Sequence, residues 1–120
     1  ILEKISGQID GLHREISTLA KKSPNDALNK FKLSFVNAAL AKANAVLEAA
    51  YQPFASFTQF HEDDVPSNSD VAMILAQYLE ELERKRADNL TRTGGGWFYK
   101  IDGQPSDIRT AAPRKLEARK

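Results

Sequence analysis

Cysteine is absent from this chain of 120 residues. Its absence excludes a disulfide framework and any thiolate-bound metal site, and fits a reducing compartment. Long apolar runs are missing too. Charges interrupt every hydrophobic stretch well short of the roughly 18–20 residues a membrane span needs, so the expectation is a cytoplasmic protein with no membrane partner. Residues 1–4 carry charges where a secretory leader would be apolar, and so do not read as one. The first residue is Ile1 rather than methionine, and the chain is expected to begin inside a longer or processed protein. Gly-x-Ser-x-Gly is not found, and no nucleophile stands with a base and an orienting group in any pattern that would propose an enzyme.

The residues that are present describe an ordinary globular domain. Hydrophobic residues make up 42% and charged residues 28%, too rich in apolar material for a disordered tail. The net charge of +1 conceals an asymmetry. Up to Glu83 there are 7 basic and 12 acidic residues, a net of −5; from Arg84 onward there are 10 and 4, a net of +6. A basic C-terminal third favours an anionic partner or head-to-tail self-association.

Pro24 to Tyr51 is the stretch around which the remainder is expected to pack. Leu28, Phe31, Phe35, Val36, Leu40, Ala43, Val46, Leu47 and Ala50 recur at three- and four-residue steps, which predicts a helix over 24–51 with one wide apolar face. Ser23-Pro24-Asn25-Asp26 reads as its start, with Ser23 as cap and Pro24 in the first turn. Asn37 and Asn44 share a face expected to meet solvent. Pro53 ends the run. Before it, residues 1–22 form a heptad pattern. Leu2, Ile9 and Ile16 occupy one seam position, and Ile5, Leu12 and Leu19 the other. This seam serves either as a core face against the central helix or as the interface of a homodimer, and self-association through it is expected.

Phe54, Phe57 and Phe60 follow at three-residue spacing and are expected to fold over the end of the helices as a short helical turn. His61-Glu62-Asp63-Asp64 is the one cluster with metal-ligand chemistry. Adjacent side chains seldom converge on one ion, however, and the calcium-loop pattern is missing, so no metal and no cofactor are expected. Ser67 or Ser69 caps a third helix over 70–90, whose apolar face is Val71, Ile74, Leu75, Tyr78, Leu79 and Leu82. Its charged end, Glu80 to Arg86, reads as a solvated helix end.

Gly94-Gly95-Gly96 then breaks the helical regime. A phosphate loop would need a strand before it and a helix after it, so the triplet reads as a joint. Trp97 to Ile101 alternate as a strand, Asp102-Gly103 turns, and Ser106 to Thr110 return. Trp97, Phe98, Tyr99, Lys100, Arg109 and Arg114 interleave aromatic and basic residues, with Lys115 just beyond. Such a set suits either a protein contact or a nucleic acid.

The fold class expected is therefore mainly α. Residues 1–93 would form a three-helix antiparallel bundle, 94–112 a glycine hinge with a C-terminal β-hairpin, and 113–120 a basic tail. The function expected is that of a non-enzymatic interaction protein that dimerises through the first helix and offers the hairpin to a protein partner. Nucleic acid is the alternative partner, and a small metal-dependent enzyme at the acidic loop the second alternative.

Overall fold

The computed structural model describes residues 2–114. Helices α1 (Leu2–Lys22), α2 (Lys30–Tyr51) and α3 (Asn68–Asp88) are followed by strands β1 (Leu90–Thr93), β2 (Gly96–Ile101) and β3 (Gln104–Thr110). The chain is thus mainly α with a C-terminal antiparallel sheet. It divides into two compact units between Leu82 and Glu83. Among the described residues no helix is long and apolar enough to cross a membrane.

In residues 2–82, the heptad pattern of α1 becomes a core face. Ile5, Ile9 and Ile16 are buried in one cluster with Leu33, Val36, Leu40, Ala43 and Leu47 of α2 and Val71, Leu75, Tyr78 and Leu82 of α3. Leu2, Leu12 and Leu19 pack half-buried against it. Three of the six seam residues are thus buried among the chain's own helices, and the other three are half-buried.

The second helix starts later than its sequence suggests. Asn29 is extended, and its Oδ1 accepts the Lys32 amide at 2.8 Å, which satisfies one of the free donors at a helix start. Ser23-Pro24-Asn25-Asp26 is instead a turn, tied to the segment before α3. Ala27 pairs with Ser67 as an isolated bridge, the Leu28 amide donates to the Pro66 carbonyl at 3.0 Å, and the Asn68 amide donates to the Asp26 carbonyl at 2.9 Å. Val36, Leu40, Ala43 and Leu47 are buried as the apolar spacing predicts, joined by Leu33, whereas Phe31 and Phe35, expected on the same face, are 72% and 53% exposed. Those two rings stack edge-to-face at 4.9 Å.

Near its end α2 is kinked at Glu48, whose φ of 57° and ψ of −175° fall in a region that is essentially glycine's alone. No glycine stands there, so the strain is retained. Glu48→Gly is expected to raise stability by about 1 kcal/mol, the lower end of what such a conformation costs, offset in part by the greater freedom of glycine in the unfolded chain. Thermal unfolding of the two proteins side by side checks this, and an unchanged or lower midpoint contradicts it.

Residues 52–67 contain no helical turn. Phe54, Phe57 and Phe60 do pack half-buried on the core, with ring pairs at 6.4 and 5.0 Å, both near perpendicular. Their backbone is held by side chains from α2 rather than by a helix of its own. Asn37 donates to the Phe60 carbonyl and accepts from the Phe60 amide, both at 2.9 Å. Asn44 donates to the Thr58 carbonyl at 3.0 Å and accepts from the Tyr78 hydroxyl at 2.7 Å. The two asparagines expected to face solvent are thus clamps. Burial pushes the Tyr78 phenol up, and its bond to Asn44 opposes that shift. Helix α3 begins at Asn68, with the Ser67 hydroxyl accepting the Asp70 amide at 3.2 Å.

In residues 83–114, the sheet has strand order β1-β2-β3. Strand β1, which the sequence reading merges with the end of a helix, pairs with β2 from Leu90↔Tyr99 to Thr93↔Gly96. The glycine triplet is therefore the turn of a hairpin rather than a joint. The second turn is Asp102-Gly103, flanked by Ile101↔Gln104. Its φ values of 55° and 78° are both positive, as a two-residue type I′ hairpin turn requires.

Candidate binding surface on the C-terminal sheet

Side chains alternate across a strand, and residues paired directly opposite share a face. The register therefore sorts the aromatic and basic residues of the sequence pattern into two sets. Arg92, Trp97 and Thr110 form one row, with Leu90 and Tyr99 on the same face. Thr91, Phe98 and Arg109 form a row on the other, with Lys100 and Pro105 alongside.

On the first face Leu90 is buried, Arg92 is exposed, and Thr110 is bonded to the end of α3 through Arg86. Glu83 and Arg86 are only 5% and 8% exposed, against the expectation of a solvated helix end. Their bond is bidentate: Arg86 Nε to Glu83 Oε1 at 2.8 Å and Nη2 to Oε2 at 2.9 Å. The remaining donors of the guanidinium reach the chain beyond β3. Nη1 donates to Thr110 Oγ1 at 2.9 Å and to the Ala111 carbonyl at 3.0 Å, and Nη2 to the Ala112 carbonyl at 3.0 Å. All five N–H groups of an arginine are thereby engaged. Glu83 Oε2 also accepts the Arg114 backbone amide at 2.8 Å.

Burial pushes the Glu83 carboxyl up, but hydrogen bonds from Arg86 and Arg114 together with their charges outweigh it, leaving the group below the usual carboxylate range. Hydrogen bonding to Glu83 raises the Arg86 pKa against the effect of burial, and neighbouring Glu83 and Tyr99 add to the rise. Arg114 belongs to this anchorage through its backbone amide, and its side chain, 3.7 Å from Glu83, is largely exposed. Tyr99 and Trp97 are half-buried on the same face. Lys115 lies outside the described residues.

On the second face an exposed cation meets a half-buried aromatic ring. Arg109 is exposed, and its guanidinium lies 6.0 Å from the centre of the Phe98 ring, within reach of a cation–π contact. Its Nη2 donates to the Gly95 carbonyl at 2.6 Å. Gly96 makes room for this. With φ at +127°, any Cβ there would stand 3.1 Å from Arg109 Nη2 and 3.3 Å from Nε, so a larger residue would strain the backbone and push the arginine away. Lys100 extends the positive charge along β2, and Asp107 places one carboxylate two residues before Arg109 on β3. Of the six residues singled out from the sequence, the structure thus brings together Phe98, Lys100 and Arg109. Thr91 completes the row, a member missed because β1 was missed; alternating Thr91 and Thr93 ahead of a glycine turn was the available signal.

The other sequence candidates do not form a site of that kind. His61, Glu62, Asp63 and Asp64 are all exposed, and among the described residues no three His, Cys, Asp or Glu side chains are placed to hold a metal ion. His13 Nε2 is 3.3 Å from the Ser17 hydroxyl within α1. No family model matches the chain, and no curated protein or solved structure is similar to it.

Proposed function

We propose that the chain is a non-enzymatic interaction protein whose contact surface is the open face of the C-terminal sheet, presented to an acidic segment of a protein partner. The observation that carries this reading is the exposed Arg109, fixed by the Gly95 carbonyl beside the half-buried Phe98 ring. A pinned arginine loses little freedom on binding, and arginine with an aromatic neighbour is the composition of interface hot spots. Lys100 adds a second cation for an acidic segment to meet. In the same reading the three helices of residues 2–82 pack as an antiparallel bundle. Self-association through the first helix is not part of the proposal, because Ile5, Ile9 and Ile16 are used inside the chain.

Trp97 neighbours Phe98 on β2 and is the only tryptophan, so its emission reports on the sheet. Titration with a glutamate-rich peptide is expected to change that emission, and Arg109→Ala to weaken the binding about tenfold, the equivalent of 1.4 kcal/mol. A peptide that leaves both the emission and the amide resonances of β2 and β3 unmoved would refute the reading. Nucleic acid is the second reading, favoured by an aromatic ring, the half-buried Phe98, with the exposed cations Lys100 and Arg109 on one sheet face. It requires that a single-stranded oligonucleotide bind more tightly than the peptide, with a steep loss of affinity on adding salt.

A further inference from the structure

Residues 2–82 carry a second candidate site. A cleft of about 620 Å³ opens beside the connection between α2 and α3, lined among others by Phe57, Phe60, His61, Asp64 and Asp70. That volume is within the range of small-ligand pockets. Three properties together define what it would accept.

Its wall is preformed. The backbone at Phe60 is held on both its amide and its carbonyl by Asn37, and the Thr58 carbonyl is held by Asn44, which Tyr78 in turn fixes. The rings of Phe57 and Phe60 are therefore presented on a braced segment, 5.0 Å apart and at 70° to each other. Its charge is of one sign. The lining contains Asp64 and Asp70 and no lysine or arginine. Its carboxylates are uncommitted. Neither Asp64 nor Asp70 has an ion pair or a side-chain hydrogen bond among the described residues; the bonds of these residues run through their backbone amides, to His61 and Ser67.

Aromatic rings attract a cation through their negative faces, and a free carboxylate attracts it by charge and by hydrogen bonding. A cleft that combines the two with no lysine or arginine in its lining suits an organic cation, which uses rings and carboxylates together, where a bare metal ion would use the carboxylates alone. The structure assigns this cleft, we infer, as a binding site for an alkylammonium group seated between the Phe57–Phe60 rings and the Asp64 and Asp70 carboxylates. Such a group is carried both by a free polyamine and by a lysine side chain of a peptide, and the two sources are separated by experiment.

Spermidine and a lysine-rich peptide are each titrated into the intact protein, with binding followed by amide resonances of residues 56–70. At least one is expected to bind and to shift those resonances; spermidine alone identifies a polyamine site, the peptide alone a protein contact. Asp64→Asn and Asp70→Asn are each expected to weaken binding about tenfold, while Glu62→Gln and Asp63→Asn, in the same loop but outside the lining, leave it unchanged. Equal losses at all four positions would reduce the effect to diffuse attraction by an acidic loop and overturn the assignment. So would Mg²⁺ displacing the ligand at equal concentration, or no shift with either probe. Unchanged amide spectra of the free variants away from the substitution show that they are folded.

Discussion

Arg86→Met is expected to destabilise residues 83–114 by about 3–5 kcal/mol, the usual penalty for leaving one partner of a buried ion pair alone. The substitution keeps a long side chain of similar reach and removes only the guanidinium. Glu83, at 5% exposure, then loses both bonds of the bidentate contact. Thr110 and the carbonyls of Ala111 and Ala112 lose their donor in the same step, so the chain beyond β3 comes free of α3. Hydrogen exchange at the amides of β2 and β3 reads this directly, and Trp97 emission follows it. The charge pair itself is not what the sheet needs most. Glu83→Leu combined with Arg86→Met is expected to recover much of the loss, because desolvating two charges offsets most of their attraction. A single Arg86→Met protein with the exchange rates of the parent would show that the anchorage contributes little.

Acid should act on the same contact. The folded-state pKa of Glu83 lies below its unfolded value, with Arg86 and Arg114 holding the carboxylate form against the effect of burial. A depressed carboxyl pKa contributes stability that is complete above the unfolded value and is lost as pH falls through the folded one. The sheet unit is therefore expected to loosen at pH values below the ordinary glutamate range. In Glu83→Gln this acid dependence should be reduced, since a neutral amide no longer titrates.

The parts of the fold legible in the sequence were those set by local pattern. The heptads of the first helix, the serine cap before α3 and the Asp-Gly hairpin turn need only neighbours a few residues away. Failures came where a distant contact decides. Ser23-Pro24-Asn25-Asp26 has the composition of a helix start, yet the Pro24 and Asp26 carbonyls accept the Ser69 and Asn68 amides, and Asn29 takes the cap instead. On α2 the spacing placed Val36, Leu40, Ala43 and Leu47 inward correctly, but it did not separate Leu33, which is buried, from Phe31 and Phe35, which are exposed, because all three are apolar and lie within two turns of one another. Glu83 and Arg86 read as surface charges because their partners lie about 25 residues further on. The composition of the binding face was visible, but its membership was not. Only strand register shows that Trp97 and Tyr99 turn one way and Phe98 and Arg109 the other.

Ile9→Asp is expected to unfold residues 2–82 at every protein concentration, and Ile9→Ala to destabilise them by about 2–5 kcal/mol. Ile9 is fully buried in a cluster with residues of α2 and α3, so truncation leaves a cavity whose walls belong to the same chain. A carboxylate at that point has no cation to pair with in the cluster, and burying it costs more than the domain's margin of stability allows. Concentration separates this account from a dimer sealed by the heptad seam. Unfolding of a dimer is coupled to dissociation, so its Tm rises with protein concentration. Unfolding of a core closed within one chain does not depend on it. Melting the parent and Ile9→Ala over a wide concentration range should therefore give two parallel, flat lines. A Tm that climbs with concentration in the parent, and less steeply in Ile9→Ala, would restore the seam as an interface between copies and displace the helices of the same chain as its partner.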